Sequence, residues 1–249
     1  MPDSDAPAPD FSLIVPAYNE EDELPATLPT YRAAMEASGR RGELIVVDNN
    51  STDRTSEIAR GAGARVVFEA HNQISRARNA GAAAARAPHF VFVDADTPLS
   101  PELLRAALEN LESGKCVGGG ARLEFDQYPR PGARKAVAFW NRLSRWRGLA
   151  CGSFVYCLRE GFEAVGGFSP RVYAGEELFF SRAVRRWGRR RGLEFRIIQE
   201  HAIVSSSRKL RWHSPWQLIW PTIMMTLFPF LILSRRFCGI WYKRPEKTV

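Results

Sequence analysis

The chain is expected to be an α/β protein with a mostly parallel sheet and helices on both faces, and three observations carry that expectation. Short apolar runs of strand-forming residues alternate four times with stretches of helical periodicity, the pattern of parallel strands joined by crossover helices. Three of those runs stop abruptly in polar clusters: Tyr18-Asn19-Glu20, Asp48-Asn49-Asn50 and Asp94-Ala95-Asp96. The 249 residues, 45% hydrophobic and 25% charged, suffice for one large domain of this class or two small ones.

Phe11 to Pro16 is the first apolar run. The helix after it carries Leu24, Leu28, Tyr31 and Met35 at three- and four-residue spacing, with Pro25 and Pro29 confining its regular part to the later turns. Leu44-Ile45-Val46-Val47 is the second strand, and Ser51 or Thr52 can cap a helix that includes Ile58 and Ala62. Arg65 to Phe68 and the Ala-rich stretch Ser75 to Ala85 make the next pair. Phe90-Val91-Phe92-Val93 reads as a strand buried on both faces, and Ser100-Pro101 opens a helix with Leu104, Leu108 and Leu111 inward. Right-handed crossovers bring the C-terminal ends of such strands to one rim, where open α/β sheets bind ligands. The three polar clusters are therefore expected to meet. In an extended backbone Asp94 and Asp96 point to one face and offer hard oxygen ligands to a single divalent cation; the alternative is a polar turn before the helix.

Beyond Glu124 the alternation stops. Ala133 to Arg147 reads as a helix with Val137, Trp140 and Leu143 inward, Cys151 to Cys157 as a strand, and Gly166-Gly167-Phe168 as a turn. Glu176-Glu177 opens a helix with Phe180, Ala183, Val184 and Trp187 on one stripe and Gly188 as its stop; acids in a first turn are also what the helix dipole favours. Glu194 to Val204 reads as two short strands. Ser205 to Lys209 is either a solvated connector or a loop that folds over a ligand with Arg208 on phosphate. Gly118-Gly119-Gly120 is a bulge or close backbone approach, or a phosphate loop. No P-loop and no dinucleotide fingerprint follows the first strand.

The net charge of +8 favours a polyanionic partner. Arg185, Arg186, Arg189, Arg190 and Arg191 cluster, and basic residues crowd the last fifth of the chain, yet no nucleic-acid-reading motif accompanies them. A membrane surface therefore ranks above nucleic acid, which is not expected as a partner. Four cysteines without a CxxC pair read as reduced thiols, and Met1 to Asp10 has no apolar run, so the expectation is a cytoplasmic protein with a disordered tail at 1–10. Trp216 to Leu233 is apolar, interrupted by Pro221 and Pro229 and flanked by basic residues. It reads as a broken helical segment at the inner face of a membrane, or as a helical pair packed on its own domain. His201 and His213 are assigned no role.

Taken together, Pro16-Ala17-Tyr18-Asn19-Glu20, Val46-Val47-Asp48-Asn49-Asn50-Ser51-Thr52-Asp53, Arg78-Asn79-Ala80-Gly81 and Asp94-Ala95-Asp96 resemble the P-x-Y-N-E, V-D-D/N-x-S-x-D, R-N-x-G and D-x-D motifs of family 2 glycosyltransferases with the GT-A fold. The resemblance implies a GT-A domain over 11–207, with a nucleotide-sugar-binding half at 11–124 and an acceptor half at 125–207, followed by a basic, apolar membrane-associating segment at 208–249. It implies that Pro16, Ala17, Tyr18, Glu20, Asp48 and Asn50 surround the nucleoside, the Asp48 carboxylate accepting from the base, which suits uracil. Arg78 would approach the ribose or diphosphate, and Asp96, helped by Asp94, would bind Mg²⁺ or Mn²⁺. The family carries an acidic pair after a G-G-F segment, and its second acid, Glu177 here, would be the general base of an inverting transfer. This chain has Glu where the family has Asp, which leaves Glu176 as the alternative base. The implied reaction is metal-dependent, hexosyltransferase-type transfer from a nucleotide-sugar donor, UDP-linked, to a hydroxyl of a glycan or lipid-linked acceptor near a membrane. A polyprenyl-phosphate acceptor, already ionised, would need no base. An inactive peripheral membrane-binding protein is the alternative of a different class.

Overall fold

A computed structural model describes residues 7–128, 131–208, 220, 224 and 229–242. The chain alternates as expected through its first half: β1 (Phe11–Ala17), α1 (Leu24–Ala37), β2 (Gly42–Asp48), α2 (Thr55–Gly61), β3 (Arg65–Phe68), α3 (Ile74–Ala84), β4 (His89–Val93) and α4 (Pro101–Glu112). The second half contains β5 (Cys116–Phe125), α5 (Ala133–Arg147), β6 (Phe154–Leu158), α6 (Arg159–Ala164), α7 (Glu176–Arg189) and β7 (Glu194–Ser205). One seven-stranded sheet runs in the order β3-β2-β1-β4-β6-β5-β7. β3, β2, β1 and β4 are mutually parallel, β6 is antiparallel to both β4 and β5, and β7 is parallel to β5.

β1 and β4 read as continuous apolar runs because both of their faces are covered. Phe11, Leu13 and Val15 pack against α1 and α4 on one side, while Ile14, Phe90 and Phe92 pack toward α3 and α7 on the other. α3 sits unusually close to β1: a Cβ at Gly81 would lie 2.4 Å from Ile14 Cγ2, so a larger residue there would push the helix away. One turn earlier on that helix is Arg78. A cluster of Phe92, Phe162, Phe168 and Phe180 docks α7 on the sheet, with Phe168 and Phe180 stacked at 4.2 Å. That stack fixes where the first turn of α7 begins.

Several local expectations change. α1 starts at Leu24 rather than after Pro29; Pro25 sits in the first turn, where no amide donor is needed, and Pro29 is carried within the helix. Ser51 and Thr52 do not cap α2, which starts at Thr55; Asp53 instead accepts from the Thr55 amide at 3.0 Å. Glu194 to Ser205 is one strand, because an irregularity opposite Ala121 and Arg122 absorbs the break in its pattern. The glycine triplet lies within β5: a Cβ at Gly119 would fall 1.7 Å from the Arg196 carbonyl oxygen, so these residues serve close strand approach. In α5 Val137, Trp140 and Leu143 are half-buried, with Trp140 packed against the core, and Ser144 is the residue fully buried. α7 continues through Gly188, whose missing side chain makes room for Val117.

The expected tail is shorter at its end, since Pro9 is buried and the Asp10 amide donates to the Arg41 carbonyl at 2.7 Å. The apolar segment at 216–233 and His213 lie largely or wholly outside the described residues. Its described end, Pro229–Leu233, is a 3₁₀ turn followed by a short helical turn at Gly239–Tyr242. This part packs on the domain: Tyr173 N–H donates to Ile232 O at 2.7 Å, and Cys238 and Tyr242 are buried with Ala174. No helix among the described residues is long and apolar enough to cross a membrane.

Candidate active site

The parallel register places Ala17 of β1 beside Asp48 of β2, and the loops that leave them are laced together. Asn19 N–H donates to Ser51 Oγ at 3.0 Å, Thr52 N–H to Asn19 Oδ1 at 2.8 Å, and Glu20 N–H to Thr55 Oγ1 at 2.7 Å. Asn19 and Asn50 both adopt positive φ, a conformation asparagine tolerates and most residues avoid. The buried Asp48 carboxylate accepts from Ser51 N–H at 2.8 Å and from Ser56 Oγ at 2.5 Å. Tyr18 and Pro16 stand half-buried at the rim. Asn50 is exposed; Asn49, its neighbour, is the structural residue, bridging Glu69 and His71 carbonyls and the Gln73 amide.

Beyond β4 the backbone turns at once, with Thr97 N–H donating to Asp94 O at 3.0 Å. Asp94 and Asp96 therefore do not lie on one face of an extended strand, as the sequence suggests. Each carboxylate meets a different arginine. Asp94 Oδ1 accepts from Arg78 Nη2 at 3.0 Å, and Asp96 Oδ2 pairs with Arg208 Nη2 at 2.9 Å. The fully buried Tyr31 hydroxyl donates to the Asp94 and Thr97 carbonyls, pinning the turn from below.

Arg78, expected to face a nucleotide, is instead 2% exposed and ties the two halves of the chain together. Besides Asp94 it donates to Glu176 Oε1 at 2.8 Å and to Gly152 O at 2.7 Å, and its guanidinium lies over the Phe168 ring at 5.2 Å. Burial opposes its charge, but Asp94, Glu176 and Glu177 outweigh that and hold it protonated. Glu176 is thus consumed by an ion pair at the start of α7, which leaves Glu177, half-buried beside it, as the acid of the pair outside that contact. Burial of its carboxyl and the neighbouring Glu176 charge push Glu177 up to about 8, against the pull of Arg78. Gly152 provides room there, since even a Cβ would sit 3.5 Å from Glu177 Cδ.

Arg208 is the residue whose role sequence reasoning placed only among alternatives. It follows β7 and reaches back across the rim to Glu20 at 2.8 and 3.0 Å, Glu23 at 3.2 Å and Asp96. Burial opposes its charge, and hydrogen bonds to Glu20 with the charges of Asp96, Glu20 and Glu23 overcome it, raising its pKa further. Asp48, Glu20 and Asp96 are thereby linked around one rim through the loop contacts and this guanidinium. Asn79, whose amide brackets Phe168 at 2.8 and 2.9 Å, and Gln73, which donates to Pro170 and Val172 carbonyls, were also missed as joints between the halves. Only the Arg78-Asn79 pairing within its motif hinted at them. Among the described residues, no group of three or more His, Cys, Asp or Glu side chains forms a ready-made metal site.

The family model for glycosyl transferase family 2 matches residues 12–165, which contain the first two strand-end clusters, Arg78 and the Asp94-Asp96 turn. The chain belongs to glycosyl transferase family 2. An uncharacterized glycosyltransferase of Mycobacterium tuberculosis is 35% identical over 111 residues, covering 45% of this chain and 48% of that protein. An undecaprenyl-phosphate 4-deoxy-4-formamido-L-arabinose transferase of Pseudomonas aeruginosa is 32% identical over 120 residues, covering 45% of this chain and 35% of that protein. The match to these curated relatives thus spans half of their length or less. Among solved structures, a mannosyltransferase from Pyrobaculum calidifontis in complex with GDP-Man and Mn²⁺ superposes with a TM-score of 0.66 at 20% identity, over 96% of this chain and 66% of that one. Glucosyl-3-phosphoglycerate synthase of Mycobacterium tuberculosis, with Mn²⁺, UDP and glucosyl-3-phosphoglycerate, superposes with a TM-score of 0.59 at 20% identity, over 97% and 82%. These neighbours establish the fold: this family 2 glycosyltransferase has the α/β architecture of GT-A enzymes, with a mostly parallel sheet.

Proposed function

We propose that the protein transfers one sugar from a nucleotide-sugar donor, UDP-linked, to an acceptor presented beside the first turn of α7. The observation that carries this reading is the Asp96–Arg208–Glu20 contact, which joins the strand-end loops into one rim that already holds a cation between carboxylates. Asp48, oriented by Ser51 and Ser56, would accept from the uracil N3–H, with Pro16, Ala17, Tyr18 and Asn50 around the nucleoside. A divalent ion fits the adjacent corner: the donors are hard carboxylate oxygens, and a guanidinium stands where positive charge is favoured. Asp96, with Asp94 in the same turn, would hold Mg²⁺ or Mn²⁺, and the ion would offset charge on the departing diphosphate. Mn²⁺ in the two structural neighbours supports this use of metal. Glu177 would take the proton from an acceptor hydroxyl while its oxygen bonds to the anomeric carbon and the bond to diphosphate breaks, with inversion. Arg78 is then a positioning residue for Asp94 and the α7 acids rather than a ligand of the donor.

A second acceptor chemistry has its own observation. With its carboxyl raised to about 8, Glu177 holds its proton above the ordinary carboxyl range, and a protonated acid can donate a hydrogen bond to an already ionised phosphate acceptor. The undecaprenyl-phosphate transferase relatives point the same way and favour a lipid-linked acceptor at a membrane. Calorimetry of UDP with and without Mn²⁺ tests the donor half: Mn²⁺-dependent binding is expected, and its absence overturns the reading. A screen of UDP-, GDP- and dTDP-sugars for slow donor hydrolysis then identifies base and sugar.

A further inference from the structure

We propose that the face formed by α5 and the C-terminal half of α7 docks on a bilayer surface rich in anionic phospholipid. α5 carries Arg134, Lys135, Arg142, Arg145 and Arg147 and no acidic residue, and it buries only Ser144. A helix packed on a core turns its aromatic residues inward. Here Trp140 packs against the core, but Phe139 and Trp146 remain 71% and 72% exposed. They are seven residues apart, two turns, and so share one face of the helix. The Arg147 guanidinium stacks over the Trp146 ring at 4.3 Å, which places cation and aromatic at the same edge.

Beside that edge is a cleft of about 540 Å³, lined by Arg147 together with Arg182, Arg185, Arg186, Arg189 and Arg190 from α7 and its end. Arg185 donates to the Arg147 carbonyl and closes one wall. Among the described residues no ion pair joins any of these six arginines to a carboxylate. Like charges gathered this way repel, and phosphate oxygens relieve the repulsion with the planar, two-pronged bonding that guanidinium groups prefer. A soluble polyanion would engage the arginines but gain nothing from Phe139 and Trp146. At a bilayer, aromatic rings settle at headgroup depth while arginines meet the anionic charge, so both features are used together.

The placement also suits the reaction. Leu149 lines the same cleft, and three residues later Gly152 abuts Glu177. Along α7, Arg186 is nine residues from Glu177, roughly 14 Å at 1.5 Å per residue. A headgroup held in the cleft would therefore stand about one short helix from the acid that faces the acceptor.

Sedimentation of the full chain with phosphatidylcholine vesicles, with and without phosphatidylglycerol, tests the inference. The parent should sediment only with the anionic vesicles and be released by high salt. Reversing charge at three exposed positions, Arg182→Glu with Arg186→Glu and Arg189→Glu, should weaken that binding about tenfold or more. Phe139→Ser with Trp146→Ser should weaken it severalfold, and brominated lipid should quench the parent's tryptophan fluorescence more than that of Trp146→Phe. Circular dichroism confirms that each variant is folded. Failure of the parent to bind anionic vesicles, or full binding by the charge-reversed variant, overturns the proposal. Loss in the arginine variant alone, with equal retention of the parent by soluble polyphosphate, would reassign the face to a soluble polyanion and also overturn it. Vesicle binding requires no turnover, so a negative result leaves the sugar-transfer reading standing.

Discussion

Two buried arginines hold the two ends of the candidate site, and they hold them differently. Arg78 projects from the middle of α3, a helix pressed onto β1 at Gly81, and its partners come from β4's turn, the segment before β6 and the start of α7. Every element it touches is anchored by packing. Arg208 stands past the end of β7 and gathers Glu20, Glu23 and Asp96, carboxylates of the strand-end loops and the start of α1. The chemistry is the same, a guanidinium between carboxylates, but the partners differ. In the proposed reaction Arg78 positions the acids around it, whereas Arg208 holds Asp96, the carboxylate that the proposed metal would need.

The largest effect should come from breaking the fixed end. Arg78→Leu leaves Glu176 buried without its partner, at a cost of about 3–5 kcal/mol in urea unfolding, and Arg78→Lys should not restore it because a compact ammonium lacks the planar, spread donors that reach Glu176 and Asp94 together. A loss below about 1 kcal/mol would mean that the Arg78–Glu176 pair does not hold the two halves together. At the other end, Asp96→Ala should lower transfer by about 10²–10³-fold and abolish the Mn²⁺ dependence of UDP binding, while the unfolding midpoint moves little. Arg208→Ala sharpens the contrast: with the guanidinium gone, Mn²⁺ alone should bind about tenfold more tightly by calorimetry or electron paramagnetic resonance. Unchanged Mn²⁺ affinity would mean that Arg208 and the metal do not compete for Asp96.

Glu177, on the Arg78 side, provides the smallest but most specific signal. Its carboxyl is raised to about 8, so between the ordinary carboxyl range and pH 8 the folded chain keeps a proton that the unfolded chain has released. Stability must fall as pH rises through that window. Glu177→Gln should therefore gain stability relative to the parent at pH 8 but not at pH 5, measured by urea midpoints. The same variant separates acceptors: loss of transfer with donor binding intact identifies a hydroxyl acceptor and Glu177 as its base, whereas largely retained transfer identifies a phosphate acceptor.

Much of the first half was legible because local patterns and global topology agree there. Apolar runs buried on both faces leave little choice but parallel strands, and parallel strands send Asp48 and the Asp94-Asp96 turn to one rim. The readings that failed were those where a distant contact overrules the local one. Ser51 and Thr52 look like helix caps until Asn19 occupies them. Arg78 is expected at the ribose or diphosphate until Asp94 from the first half and Gly152 and Glu176 from the second bury it. The continuity of β7 follows from its pairing with β5, which its own alternation does not reveal.

From the sequence alone come the α/β class, the strand ends that carry acids and the family's motifs in their order, since each is written in residues a few positions apart. Which acid meets which arginine was decided only in three dimensions. Arg208 and Glu20 are 188 positions apart, and no periodicity or motif can pair charges across such a span; the packing of the sheet against α3 and α7 does.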